Sequence, residues 1–339
     1  MIKYQITTFG CQMNKADSER IAAILEKKGC KPAKTAREAD LVLINMCSVR
    51  QSAVDRVYGK INNLKKLKEK KPKLKTILTG CILKKDKKKF AMFFDEIWDN
   101  KNYFKEKPKC QNKSMAFIPI SNGCNNACTY CVVPYTRGAL NCRDHQEILK
   151  EVKSFIKKGF KEIWLLGQNV NDYHSPKNKS IDFTKLLKLV NDIPGNFRIL
   201  FTSPHPKNFS DGLIDILAKC EKFGNYLNLP MQSGNNQILK RMKRNYTARE
   251  YKKLIEKIRR KMPEIKLSTD IIVGFPKETK KQFQDTAKLF KEIKFSWAYI
   301  SKYSSRPGTA AFKLEDDIPL SEKKKRETIL REILKKHGK

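Results

Sequence analysis

Cys124, Cys128 and Cys131 form a Cys-x3-Cys-x2-Cys run inside Gly123-Cys-Asn-Asn-Ala-Cys-Thr-Tyr-Cys-Val-Val-Pro-Tyr-Thr-Arg-Gly138. Three thiolates are one short of a closed tetrahedral site. A [4Fe–4S] cube takes four ligands, so three cysteines leave one iron open to a chelating substrate. The cluster would then supply the difficult electron chemistry, while the protein sets access and potential. Other readings explain less. Zinc would want a fourth Cys or His at short spacing, and none follows. A disulfide set belongs to a secreted chain. A ferredoxin-type run has two-residue gaps and a fourth Cys followed by Pro.

A second set sits in the first hundred residues. Tyr4–Phe9 runs into Gly10 and Cys11, Leu41–Asn45 into Met46 and Cys47, and Leu74–Leu78 into Thr79, Gly80 and Cys81. Short apolar runs of this length read as strands. Between them, Ile21, Ile24 and Leu25 mark one helical face over 18–28, and Val54, Val57, Ile61, Leu64 and Leu67 another over 54–68. Strand–helix alternation means a parallel sheet with right-handed crossovers. All three cysteines then reach the carboxyl edge, where open α/β sheets bind ligands. Three buried structural thiols are the alternative, but that does not explain one location in successive units. The remaining Cys30, Cys110, Cys142 and Cys220 share no ligand spacing and read as structural or incidental. Ten reduced cysteines and no secretory signal peptide fit a cytoplasmic protein.

The chain of 339 residues has room for two domains, and no apolar stretch reaches membrane-span length. Its net charge is +37, from 72 Lys and Arg against 35 Asp and Glu. A genome rich in A and T accounts for part of the lysine. Even so, such a field attracts polyanions. The runs Lys65–Lys75 and Lys84–Lys89 flank the third strand and Cys81. Each is by default a solvated face, yet their position favours a nucleic-acid substrate gripped through charge and shape.

A polar linker is expected over 100–114. Beyond it, strands are expected at Ala116–Ile120, Glu162–Leu166, Phe197–Phe201, Tyr226–Leu229, Lys266–Val273 and Trp297–Tyr303, with helices such as Ala248–Lys261 and Lys281–Lys291 between them. Six such units predict a partial (β/α)6 barrel whose site lies at the carboxyl ends of the strands. His205, between Pro204 and Pro206, is either a ligand or base, or a loop-shaping residue.

From the first strand to about Phe312 these segments resemble the MiaB-type tRNA methylthiotransferases, a radical S-adenosylmethionine (SAM) family. The motifs are the cluster segment, Leu-Gly-Gln-Asn-Val-Asn at 166–171, Leu-Pro-Met-Gln-Ser-Gly at 229–234 and Arg-Pro-Gly-Thr at 306–309. The resemblance implies an α/β fold: an N-terminal methylthiotransferase domain over 1–109, with an auxiliary [4Fe–4S] cluster on Cys11, Cys47 and Cys81. A radical SAM core then covers 110–339, with a second cluster on Cys124, Cys128 and Cys131, and with Tyr130 and Gln168 at the SAM site.

The implied reaction inserts a methylthio group at C2 of N6-isopentenyladenosine at tRNA position 37, with SAM as methyl donor and radical source. The implied partners are the tRNA anticodon stem-loop and an electron donor such as flavodoxin or ferredoxin, with no membrane and a monomeric chain. Val-Val-Pro-Tyr-Thr-Arg and Gly-Gln-Asn-Val-Asn favour the tRNA branch over the relatives acting on a ribosomal protein.

Departures from the family pattern are Ala139 and Leu140 after Gly138, Cys142 in place of Ser, and Lys277 in place of Gly. Leu140 resembles the branch acting on N6-threonylcarbamoyladenosine, which is the alternative substrate. A non-catalytic nucleic-acid-binding scaffold is the other alternative. The chain ends at Lys339, where the family's small RNA-binding TRAM barrel would begin, so lysines are expected to grip the tRNA.

Overall fold

The structure, a computed structural model, describes residues 1–49, 51–99, 103–104 and 106–337. The N-terminal half is a parallel sheet of β1 (Lys3–Phe9), β2 (Lys31–Pro32), β3 (Leu41–Cys47), β4 (Lys75–Cys81) and β5 (Glu96–Ile97), in the order β2-β1-β3-β4-β5. Its helices are α1 (Gln12–Lys27), α2 (Gln51–Lys70) and α3 (Lys84–Phe90). β3 is buried along nearly its whole length. That suits a central strand covered on both faces. α2 turns Val54, Val57, Ile61 and Leu64 toward the sheet, as their spacing predicts. β3 and β4 run further than the apolar pattern alone requires, because their ladder continues until Cys47 lies opposite Cys81.

The second half carries six parallel barrel strands: β6 (Met115–Pro119), β9 (Glu162–Leu166), β10 (Arg198–Phe201), β11 (Tyr226–Asn228), β12 (Lys266–Val273) and β13 (Trp297–Lys302). They form two triplets, β10-β9-β6 and β11-β12-β13, joined by a bridge between Ile199 and Phe223. A small antiparallel pair, β7 (Ser121–Asn122) and β8 (Asn141–Cys142), brackets the cysteine loop and the short helix α4 (Val133–Arg137). The outer helices are α5 (His145–Lys157), α6 (Phe183–Asn191), α7 (Asp211–Lys219), α8 (Asn236–Arg241), α9 (Ala248–Lys261), α10 (Lys280–Ile293) and α11 (Leu320–His337). Thr247 with Glu250, and Thr279 with Gln282, form reciprocal capping boxes that fix where α9 and α10 begin. Among the described residues no helix is long and apolar enough to cross a membrane.

The halves meet along α1. Met13 and Ala16 pack with Phe117 and Leu166 of the barrel strands. One turn on, Arg20 is fully buried and pairs with Glu151 of α5 at 2.7 Å, and Glu151 also meets Arg143 at 2.7 Å. The expected linker is tethered rather than loose. Lys109 donates its backbone N–H to the Glu19 carbonyl (2.9 Å) and Gln111 donates to the Glu19 carboxylate (3.2 Å). Lys27 pairs with Glu106 at 2.6 Å. Residues 100–102 and 105 of that linker lie outside the described residues.

Candidate functional site

Cys124, Cys128 and Cys131 lie half-buried on the loop between β7 and α4. The loop is held by its backbone. Cys124 donates to the Gly138 carbonyl (3.2 Å), Thr129 donates to the Met242 carbonyl (3.1 Å) and the Thr129 carbonyl accepts from Ala311 (2.7 Å). Gly123 must be glycine, since its φ is +80° and a Cβ would strike the Ala139 carbonyl.

The thiols are met by donors. Asn126 N–H points at Cys124 Sγ (3.4 Å), Val133 N–H at Cys131 Sγ (3.5 Å) and Arg244 Nη1 at Cys128 Sγ (3.6 Å). Burial pushes the Cys131 thiol up to about 12 and raises Cys124 as well. Free, these groups stay protonated. Bound iron would deprotonate them outright, and the N–H donors would then face thiolate sulfur.

Gln168 sits at the cluster loop, where its Oε1 accepts from Gly123 N–H (2.6 Å). Tyr130 packs against Ile238, Met242, Phe275, Tyr303 and Ala311. Beside the loop, at the carboxyl ends of strands, Ser121 Oγ, both amide atoms of Asn169 and Gln232 Oε1 are buried without a hydrogen-bond partner among the described residues. Gln232 also holds a left-handed φ of +63°. Buried orphans of this kind ask for a polar ligand, and a strained residue at a strand end is what a ligand site tolerates. His205 acts as a loop-shaping residue: its Nδ1 accepts from Lys207 N–H (3.2 Å), its backbone pairs with the Asn171 amide, and burial lowers its pKa to about 3.

The second cysteine set gathers at the carboxyl edge of the N-terminal sheet. Cys47 and Cys81 end neighbouring strands in register, and Cys11 is the residue from which α1 starts. Gly80, at φ +109°, passes so close to β3 that a Cβ would strike the Met46 carbonyl. Cys11 keeps solvent access at the rim, yet it sits in a crowded concavity that raises its pKa. A hydrogen bond with Cys47 and the nearby Arg137 guanidinium, opposed by burial, hold Cys81 below the ordinary thiol value. Arg137 Nε donates to Cys81 Sγ at 3.0 Å. Asn14 Nδ2 lies 3.9 Å from the same sulfur and is fixed by Asn45 at 2.8 Å.

Among the described residues no three His, Cys, Asp or Glu converge as a single metal ion requires. A four-iron cube spreads its ligands over separate corners, and the donor chemistry of both sets suits one: soft thiols, N–H groups aimed at sulfur, and cationic neighbours. Arg137, Arg244, Arg306, Asn169 and Gln232 were not singled out from the sequence. The quoted motifs that contain all of them but Arg244 were the available signal; Arg244 lies outside every motif. The remaining cysteines stay apart from both sets. Cys220 is buried with its thiol on Asn191 Oδ1 (3.0 Å), while Cys30, Cys110 and Cys142 are half-buried.

Residues 118–290 match the model of the Radical SAM superfamily, and residues 3–98 match the Uncharacterized protein family UPF0004. The fold agrees. The structure of the radical S-adenosylmethionine methyltransferase TsrM from Kitasatospora setae, with cobalamin and a [4Fe–4S] cluster bound, superposes with a TM-score of 0.64. It is 13% identical, with 91% of this chain and 76% of that one covered. The chain is thus a radical SAM protein, and that class carries SAM and a [4Fe–4S] cluster.

Its nearer kinship is with named enzymes. It is 40% identical over 357 residues to the tRNA-2-methylthio-N(6)-dimethylallyladenosine synthase of Syntrophomonas wolfei, covering 96% of this chain and 80% of that protein. It is 41% identical over 350 residues to the enzyme of the same name from Clostridium novyi, covering 94% and 77%. The chain belongs to the tRNA-2-methylthio-N(6)-dimethylallyladenosine synthase family.

Proposed function

We propose that this chain inserts a methylthio group at C2 of N6-isopentenyladenosine in tRNA, isopentenyl and dimethylallyl being names for one five-carbon group. The residue is position 37, presented on the anticodon stem-loop. Residues 1–109 are the methylthiotransferase domain and 110–339 the radical SAM core. Cys124, Cys128 and Cys131 hold the radical SAM cluster. Cys11, Cys47 and Cys81 hold an auxiliary [4Fe–4S] cluster that carries the sulfur. When bound, the first cluster supplies the electron that cleaves SAM, which serves as methyl donor and radical source.

The chain's own residues do the rest. Gln168 holds the cluster loop by Gly123, and Tyr130 closes the apolar side. The unpartnered Ser121, Asn169 and Gln232 groups receive polar atoms of SAM. The enzyme works as a cytoplasmic monomer, with a flavodoxin or ferredoxin as electron donor. The observation that carries this reading is Arg137. It lies six residues beyond Cys131 on α4 and bonds to Cys81 across 56 positions of sequence, so the helix that follows one cysteine set touches the other set.

Two substitutions test it. Cys124→Ala should abolish cleavage of SAM. Cys47→Ala should leave cleavage to 5′-deoxyadenosine intact but end formation of the methylthio product on isopentenylated tRNA. Normal cleavage in both variants would refute the assignment of roles. Product formed only on threonylcarbamoylated tRNA would refute the substrate.

A further inference from the structure

Two guanidiniums of the barrel half reach the N-terminal half near its cysteines: Arg137 bonds to Cys81, and Arg306 bonds to Gln51, four residues past Cys47. Arg137 spends its donors in three directions: Nε on Cys81 Sγ (3.0 Å), Nη2 on Asp17 Oδ2 (2.7 Å) and Nη1 on Asn122 Oδ1 (2.8 Å). Asp17 belongs to α1 and Asn122 to β7, so one side chain ties both halves to one thiol.

Arg306 follows β13 and is 6% exposed. Its Nη1 donates to Gln51 Oε1 of α2 (2.6 Å), while Nε and Nη2 are buried without a partner among the described residues. It forms no ion pair there. The acidic groups that act on its charge are Asp86, Cys47 and Asp55, and burial works against that charge more than any of them favours it. Both carboxylates are engaged elsewhere: Asp86 accepts from Ser48 Oγ (2.9 Å) and Asp55 from Gln51 Nε2 (2.8 Å).

A buried guanidinium without a counter-charge is costly, and removing one partner of a buried pair is known to be strongly destabilising. Arg306 is therefore built for an anion that arrives later. A [4Fe–4S] core on three thiolates is such an anion, and each electron added deepens its charge. Cluster potential responds to net charge, to hydrogen bonds on sulfur and to exposure.

We propose that Arg137 and Arg306 are positioning residues for the auxiliary cluster, one by an N–H···S bond and the other by an unpaired charge, and that both raise its reduction potential. The auxiliary site is thus composite: its thiols come from the N-terminal half and its counter-charge from the barrel. This rests on the reading of Cys11, Cys47 and Cys81 as cluster ligands.

The test uses the full chain with Cys124, Cys128 and Cys131 replaced by Ala, so that only the auxiliary site can load. Iron and acid-labile sulfide are counted first, and about four of each per chain is expected. Near-zero loading in this parent would overturn the reading beneath the proposal. With the parent loaded, the one-electron midpoint is measured by electron paramagnetic resonance during a redox titration. Arg306→Gln should shift it to lower potential, and Arg306→Lys, which keeps the charge, should titrate close to the parent. Arg137→Gln should also shift it down, since it removes the N–H···S bond and leaves Asp17 unpaired. Arg137→Lys should recover only part of that shift.

A parent-like midpoint in Arg306→Gln would overturn the proposal. Should Arg306→Gln lose its iron, Arg306→Lys decides: loading with a parent-like midpoint supports the electrostatic role, and loss of iron from both overturns it.

Discussion

Glu19 offers a measurable pH dependence. It lies in α1 against the tethered segment, 4% exposed, with one carboxylate oxygen on Gln111 N–H (3.2 Å) and the other without a partner among the described residues. Burial outweighs the help of the Gln111 N–H, Arg20 and Lys15, and the carboxyl is raised from 4.5 to about 7. Between those values the native chain keeps a proton that the unfolded chain has released. Stability therefore falls as pH rises through this window and is level above it. About 2.5 pH units at about 1.4 kcal/mol each amount to about 3 kcal/mol lost by pH 8.

Glu19→Gln keeps the shape and the oxygen that accepts from Gln111, and it cannot ionise. It should be near neutral at about pH 5 and stabilising by about 3 kcal/mol at about pH 8. Urea unfolding of the apo chain at the two pH values, at matched m-values, reads this difference. A variant equally destabilised at both, or one whose gain does not grow with pH, would refute the reasoning.

Two further outcomes are expected. On α3, Lys84, Lys85, Lys88 and Lys89 are exposed, whereas Lys87 is already paired with Asp99. Replacing Lys84, Lys85 and Lys88 by Gln should weaken tRNA binding and lower the log–log salt slope by about one or somewhat less per lysine. An unchanged slope in a filter-binding titration would mean that α3 is only a solvated face. Lys277, where the family usually carries Gly, sits at φ +63°. Lys277→Gly should stabilise by about 0.5–1 kcal/mol, the strain relieved being partly offset by a freer unfolded chain. A lower midpoint of thermal unfolding would contradict it.

Much of the frame was legible. β9 and β12 fall on their expected bounds, Glu162–Leu166 and Lys266–Val273, because β9 is a short apolar run and β12 ends in the β-branched run Ile271-Ile-Val273, each closed by a glycine, Gly167 and Gly274. The two-residue strands β2, β5, β7 and β8 carry no pattern that a period could reveal. The apolar spacing starts α1 near Ser18, but the helix starts at Gln12. The reason is physical. Its first turns bury Asn14, Asp17, Ser18, Glu19 and Arg20, a polar face that amphipathic patterning takes for solvent or loop. Asn14 serves the Cys81 side, Asp17 holds Arg137, and Arg20 crosses to Glu151.

The same helix explains why the candidate site was half visible. Each cysteine set is local in sequence or in a repeated strand end, so spacing finds it. What surrounds the sets is not local. Arg137 reaches Cys81 over 56 positions, Arg244 reaches Cys128 over 116, and Arg306 reaches Gln51 over 255. No periodicity encodes such pairs, since each arginine reads on its own as a surface charge in a basic chain. Burial separates them from the rest. Arg137, Arg244 and Arg306 are each under a tenth exposed, as are Arg20, Arg143 and Arg326. A buried guanidinium has to be matched by specific partners. Arg20, Arg137 and Arg306 find theirs across the seam, in Glu151, in Cys81 with Asp17, and in Gln51, so these three trace the boundary between the two halves.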